Sequence, residues 1–270
     1  MRRGLPSLVL LLFASSALPA HATGQGVSLE LRPKVGDTLT VRMDQEVEMV
    51  GTTRVASGDS VVRVTNGMHV VSRAIVERSD AAGTTMLAMT DSVVLQSSTA
   101  PSRALEEARQ ALVGQKVRVR VAPDGATELL GDDGGREDLR ELFAQMPATL
   151  PRAKVDVGDR WTREMPLPPP GGTVKAVFRL DSLSRRGEVA WVSMTGAITR
   201  DSVPEPRSGA TVQMTGRVTG TLTVDRARGW LTSSRTTIIV NSTMTPPSGG
   251  KGSPRRFRMR VTQWMRTDER

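Results

Sequence analysis

The longest regular alternation of apolar and polar residues runs from residue 211 to residue 224. Even positions there are apolar or glycine and odd positions are polar, which is typical of a strand with one buried face and one wet face. Turn residues interrupt the pattern at 225–229, and an apolar set resumes at Ile238, Val240 and Met244. The pattern therefore predicts a long antiparallel hairpin.

Similar alternation predicts strands over most of the remaining chain. Helical spacing occurs in two places: residues 103–112, followed by Gly114 at the position of a helix C′ residue, and residues 137–146. The predicted fold class is mainly β, with long antiparallel strands forming a curved sheet, a half-barrel or two similar sheets, and two short helices in the middle. The predicted strands and hairpins lie at 39–49, 62–77, 84–96, 116–130, 157–165, 174–183, 188–198 and 257–265.

One turn sequence occurs twice. Val157-Gly158-Asp159 repeats Val35-Gly36-Asp37, each just before a predicted strand, so equivalent structural roles are expected for Asp37 and Asp159. We interpret the repeat as a loose internal duplication, in which residues 23–150 form a first β half with both helices and residues 151–270 form a second β half. The two halves could also make one continuous domain.

The N-terminus has the features of a secretory signal peptide. Arg2 and Arg3 precede a short apolar run, and Ala20-His21-Ala22 fits the small-x-small cleavage pattern. The apolar run is too short for a permanent membrane anchor. The sequence thus predicts a signal peptide over 1–22, cleavage near Ala22, and a protein that is soluble in the periplasm or outside the cell and does not span the membrane.

Composition narrows the possible partners and stabilising devices. The 270 residues have a formal net charge of +9 and include no Cys, so disulfides cannot stabilise the exported chain. The arginine excess fits either a surface that attracts anionic head groups or charges spread over the wet faces of strands; the lack of a compact basic run favours the second. Nucleic acid is not expected as a partner, because the chain has no Tyr and only four Phe for base stacking.

The residues for most catalytic and metal chemistry are absent. His69 is the one histidine beyond the predicted signal peptide, and it is interpreted as a residue of a strand's polar face. Any Ser-His-Asp triad has to use it, and no nucleophile-elbow motif supports a serine. A zinc site of imidazoles and thiolates cannot be assembled, and no nucleotide-binding loop is present. We therefore predict no catalytic, cofactor-binding or metal-binding residues and no cofactor.

An acidic cluster lies before the second predicted helix, at Asp132, Asp133, Glu137 and Asp138. The spacing lacks the oxygen donors of an EF-hand loop, and acidic residues are favoured in the first turn of a helix. We interpret the cluster as a helix start. A glycosidase with two carboxylates far apart in sequence stays open as a distant alternative.

Methionine is unusually frequent, with thirteen residues. Flexible thioethers suit an adaptable pocket for an apolar ligand, and they equally fill irregular cores, so both interpretations stand. The candidate ligand-lining residues are apolar positions of the long hairpin together with the helix that could cover them: Val212, Met214, Val218, Leu222, Leu139, Leu142 and Phe143.

These motifs resemble those of an exported bacterial family, a domain of unknown function. The resemblance lies in the two Val-Gly-Asp turns, the Leu-Val-Gly-x-x-Val run at 112–117, the Asp-Gly turn, and Gly-Thr-Leu-Thr-Val at 220–224 before Gly229. No functional residues carry over. The layout is also similar to the periplasmic lipoprotein carriers (LolA-like), whose fold implies a half-barrel that holds an acyl chain beneath helices.

Two functions of different classes follow. The first is a non-catalytic envelope protein that binds a hydrophobic or lipid-like ligand. The second is a structural or interaction protein of the envelope, whose sheet buries a self-filled core and whose partners are other envelope proteins.

Overall fold

The computed structural model describes residues 26–55, 58–131, 149–166, 173–204, 210–247 and 253–269. These residues form one antiparallel sheet of eleven strands and one helix. The elements are β1 (Thr38–Val55), β2 (Gly58–Asp80), β3 (Gly83–Ser97), α1 (Ser102–Leu112), β4 (Lys116–Val121), β5 (Thr127–Leu130), β6 (Arg160–Pro166), β7 (Thr173–Leu183), β8 (Val189–Pro204), β9 (Thr211–Asp225), β10 (Trp230–Thr245) and β11 (Arg255–Glu269).

The strand order is β5-β4-β3-β2-β1-β11-β10-β9-β8-β7-β6. Strands that are consecutive in the chain therefore pair with each other, except β5 and β6, and the first strand pairs with the last. The sheet is not closed: within the described residues, β5 and β6 are its two edges. The mainly β prediction is confirmed, with one sheet rather than two.

The helices were predicted between the two sets of strands. The first is present as α1, and it ends where expected, because Gly114 has the positive φ of 76° that suits a residue just beyond a helix. The second predicted helix, at 137–146, lies outside the described residues, as does the predicted signal peptide.

The two Val-Gly-Asp turns have matching hydrogen bonds. In the first, Lys34 N donates to Asp37 Oδ2 at 2.8 Å, and in the second, Asp156 N donates to Asp159 Oδ2 at 2.8 Å. The glycine of each turn also donates to the end of a neighbouring strand, at Val76 O and Leu180 O respectively. Each aspartate thus caps the turn that starts a strand, which is the structural role expected of both.

The segment before β1 crosses one end of the sheet. Its backbone is held by hydrogen bonds between Val27 and Val155, from Leu31 N to Pro123 O at 2.9 Å, and from Arg32 N to Gly229 O at 2.7 Å. Gly229 has a φ of 67°, and a Cβ atom there would lie 2.4 Å from Arg32 O. This turn therefore needs glycine, because the preceding segment passes directly over it.

The register gives each strand an inner and an outer side. We call inner the side that carries Leu39 and Phe178, since both belong to the buried core. Trp161 on β6 stacks on the Phe178 ring, with centroids 5.8 Å apart, and its Nε1 donates to Thr149 O. Leu29 and Leu150, from the two segments that lie across this end of the sheet, join the same core. The core thus lies on the inner face, near the end where β1 and β6 begin.

Candidate functional site

Three glycines lie on the inner face of β8 and β9. A Cβ atom on Gly216 would be 2.5 Å from Ile239 O, one on Gly220 would be 2.7 Å from Arg235 O, and one on Gly196 would be 2.7 Å from the Val218 side chain. No ordinary residue fits at such distances. Glycines inside strands typically mark places where a sheet bends sharply or another chain segment approaches closely. These three allow the sheet to pack tightly on itself between β7 and β10.

We call β7, β8 and β9 the closed region. Most of the apolar side chains on its inner face are buried, with exposures of 8% or less, whereas those at the start of β9 are only partly buried. The buried residues are Val174, Ala176, Phe178, Leu180, Ala190, Val192, Met194, Ile198, Val218, Leu222 and Val224. The chain's own side chains fill this part of the face.

We call β2, β1 and β11 the open region. Leu39, Ala74 and Val76 of these strands belong to the buried core. The remaining apolar residues of the inner face follow the same alternation but are only partly buried, and Met49 is 39% exposed. The register places Val47 opposite Val261, and Met49 opposite Met259. The other partly buried inner residues of these strands include Val41, Met43, Gln45, Met68, Val70, Gln263 and Met265. Apolar surface is therefore accessible on the side that, by pattern, should be covered.

The predicted ligand-lining residues of β9 fall in two groups. Val218 and Leu222 are 4% and 7% exposed and belong to the buried core of the closed region. Val212 and Met214 are partly buried and lie nearer the start of the strand. The other three predicted residues, Leu139, Leu142 and Phe143, lie outside the described residues.

Arg200 near the end of β8 is the unusual inner-face residue. The alternation of β8 puts it on the same side as Ile198, and it lies opposite Met214 of β9. It is 7% exposed, and its buried Nη1 atom has no hydrogen-bond partner. The Arg200 guanidinium is thus a largely buried charged group with one nitrogen that has no partner, an arrangement that costs free energy.

A surface pocket lies on the outer side of the open region. It has a volume of about 560 Å³ and includes Asp44, His69 and Trp264 in its lining. His69 Nδ1 lies 2.6 Å from Asp44 Oδ1, and the His69 side chain is 42% exposed. Arg235 of β10 lies over the Trp264 ring at 5.5 Å. The strand placement predicted for His69 agrees with its position, whereas the sequence did not indicate the pairing with Asp44.

This pair does not form a catalytic triad in the described residues, where no hydrogen bond joins His69 to a serine or threonine hydroxyl. The same residues contain no group of three or more His, Cys, Asp or Glu side chains that could hold a metal ion. The acidic cluster at 132–138 lies outside them. No helix in this part of the chain has the length and hydropathy needed to cross a membrane.

Sequence reasoning missed the open region and Arg200 for the same reason. Alternation identifies which residues share a face, but only the register shows which strands lie side by side. The one available signal for Arg200 was an arginine at position 200 on the apolar side of the alternation that ends at Ile198.

Comparison with known structures gives matches of very low similarity. A crystal structure of an outer membrane channel from Pseudomonas putida F1 is 10% identical, with 89% of this chain and 98% of that chain covered and a TM-score of 0.25. A putative outer membrane lipoprotein-sorting protein domain from Vibrio parahaemolyticus is 11% identical, with 84% of each chain covered and a TM-score of 0.16. A lipoprotein-sorting domain, the kind of protein that the sequence motifs resemble, is thus represented among these matches.

Sequence comparison gives one family. None of the curated proteins matches the chain. Residues 124–231, from the β4–β5 turn to the start of β10, match the model of a family of unknown function (DUF6263). That stretch contains the second Val-Gly-Asp turn and the Gly-Thr-Leu-Thr-Val run. Over these residues the chain is similar to a family of unknown function, as its strand and turn motifs predict.

Proposed function

We propose that this is an exported, non-catalytic envelope protein whose inner sheet face binds a hydrophobic or lipid-like ligand in the open region. The observation that supports the proposal is the partial exposure of apolar residues on that face. Val47 and Met49 alternate with outward-facing charged residues such as Glu46 and Glu48. The strand is therefore patterned for burial on one side, although the described residues leave that side partly accessible. Exposed apolar patches of this kind coincide with binding sites more often than the rest of a protein surface does.

The chemistry of the open region suits a ligand held by shape and hydrophobicity. Met43, Met68, Met259 and Met265 contribute flexible, polarisable side chains that adapt to an acyl chain better than branched residues do. Val212 and Met214, at the start of β9, extend the partly accessible apolar surface into the closed region. Under this proposal the segment that contains Leu139, Leu142 and Phe143 supplies a cover, on the basis of its sequence alone.

The closed region favours a second candidate. The inner face of this region is filled by the chain's own residues. In the second candidate, the whole sheet serves only to bury a core and holds no ligand. The protein would then be a structural or interaction component that binds other envelope proteins. The proposed location is the same for both: outside the cytoplasm after cleavage near Ala22, without a membrane span.

Native mass spectrometry of the mature protein, purified from its own envelope and then extracted with solvent, separates the two. A stoichiometric mass of lipid size is expected if the open region binds a ligand. A ligand-free mass in every preparation contradicts the proposal and favours the interaction protein.

Two neighbouring substitutions locate the ligand. Met49→Glu puts a charge on the accessible inner face, where it should remove most of the bound ligand without unfolding the protein. Val50→Glu is the matched control, because Val50 lies on the outer face between Arg258 and Arg63. Equal ligand loss in both variants, or in neither, contradicts placement of the ligand in the open region.

A further inference from the structure

A largely buried arginine on the inner face, Arg200, bears on the charge of the ligand. Arg200 is 7% exposed and its Nη1 atom is buried without a partner. No ion pair joins it to a carboxylate among the described residues. Arginine stays protonated in proteins, so this side chain carries a positive charge that is largely, though not completely, removed from water.

Two part-buried arginines of the fold donate hydrogen bonds to backbone carbonyls, although Nε of Arg163 is also buried without a partner. Arg226 donates to Ser28 O and to Gly187 O, and Arg163 donates to Leu150 O. These guanidinium groups join segments of the chain to one another. Among the described residues Arg200 has no such backbone partner, and a bound anion would offset the cost of a largely buried charge.

The register places Arg200 at one end of a row of inner-face residues that, apart from Ser242, carries no other polar side chain. Across the sheet, Arg200 lies opposite Met214, Met214 opposite Ser242, Ser242 opposite Phe257, and Phe257 opposite Gly51. Four strand spacings of about 4.8 Å separate the first residue from the last, roughly 19 Å along the sheet. The row leads from the buried charge to the open region.

We infer that Arg200 binds the anionic head group of an amphiphile whose apolar tail lies along the inner face towards β11 and β1. This inference rests on the proposed function and specifies its ligand class. A guanidinium donates two parallel hydrogen bonds to a carboxylate or to a phosphate. A fatty acid and a single-chain phospholipid both provide that chemistry.

Binding of three probes of equal chain length to the solvent-extracted mature protein tests the inference. The probes are palmitate, a palmitoyl lysophosphatidylglycerol and hexadecanol, which has the same tail but no charge. The wild-type protein should bind at least one anionic probe ten or more times more tightly than hexadecanol. The stronger of the two anionic probes identifies carboxylate or phosphate as the preferred head group.

Substitution then tests the role of Arg200 itself. Arg200→Met should lower the affinity for the anionic probe at least tenfold and leave hexadecanol binding unchanged. Its Tm without ligand should stay the same or rise, since the variant removes an unpaired buried charge. Arg258→Met on the outer face of β11 is the control and should change neither affinity.

The outcomes that would overturn the inference can be told apart by these experiments. Tight binding of hexadecanol with no preference for either anion overturns this inference and leaves the proposed function intact. No binding of any probe overturns both. If Arg200→Met has a lower Tm and binds all three probes more weakly to the same degree, the role of Arg200 is purely structural. That result also overturns the inference. If Arg200→Met does not fold, Arg200→Lys should still bind the anion, more weakly than wild type.

Discussion

The closed and open regions of the inner face follow the same alternation but differ in how they are filled. In the closed region, Gly196, Gly216 and Gly220 bring neighbouring strands and side chains so close that added Cβ atoms would collide with them. In the open region, Val47 and Met49 occupy comparable positions and remain partly exposed. Binary pattern alone thus determines which residues face inward, whereas small residues determine how tightly the sheet folds over them.

The largest expected effect concerns the closed core. Phe178→Ala removes a ring that is 0% exposed and stacked on Trp161, and such truncations cost about 3–5 kcal/mol. Met259→Ala, in the open region, removes a partly exposed side chain and should cost about 1 kcal/mol or less. Urea unfolding of both variants measures the difference. Equal losses would contradict the division of the inner face into two regions.

A second comparison uses two glycines. Gly216→Ala should destabilise the protein by about 1–3 kcal/mol, because the new Cβ atom meets the backbone of β10 at 2.5 Å. Gly51→Ala in the open region places its Cβ atom 3.3 Å from the edge of the Phe257 ring, which can shift. The expected loss in the free energy of unfolding for Gly51→Ala is below about 1 kcal/mol. Urea unfolding again measures the loss of stability. A larger loss of unfolding free energy for Gly51→Ala than for Gly216→Ala would contradict the tighter packing of the closed region.

The smallest expected effect lies in α1, which packs on β3 beside the open region. Hydrogen bonds from Arg109 and Gln110 lower the pKa of Glu106 to about 2, from an ordinary value of 4.5. Because the folded pKa is lowered, the stabilisation is present above pH 4.5 and is lost as the pH falls towards 2. NMR titration should give a midpoint near 2, and Arg109→Gln should raise it. The pair is exposed, so the acid-induced loss of stability should be slight.

Much of this fold could be predicted from local sequence. Alternation located the strands, Gly114 marked the end of α1, and the repeated Val-Gly-Asp sequence indicated two equivalent turns. The pairing of β1 with β11 could not be predicted, since the two strands are far apart in the chain and alternation carries no information about partners. The contact between His69 and Asp44 depends on the β1–β2 register, which the pattern also leaves open.

The candidate site was predicted less completely. Val212 and Met214 were chosen for the same reason as Val218 and Leu222, yet only the first two retain accessible surface. The difference arises because Val218 packs against Gly196, a contact between strands that alternation cannot reveal. Leu139, Leu142 and Phe143 remain predictions.

Hydrogen exchange tests most directly whether the open region is a ligand-binding surface. The envelope-purified protein and the same protein after solvent extraction are compared strand by strand. Binding along the inner face should slow exchange in β1 and β11 of the unextracted protein, while β7, β8 and β9 are equally protected in both samples. Identical exchange throughout, or a change confined to β7–β9, would contradict the account.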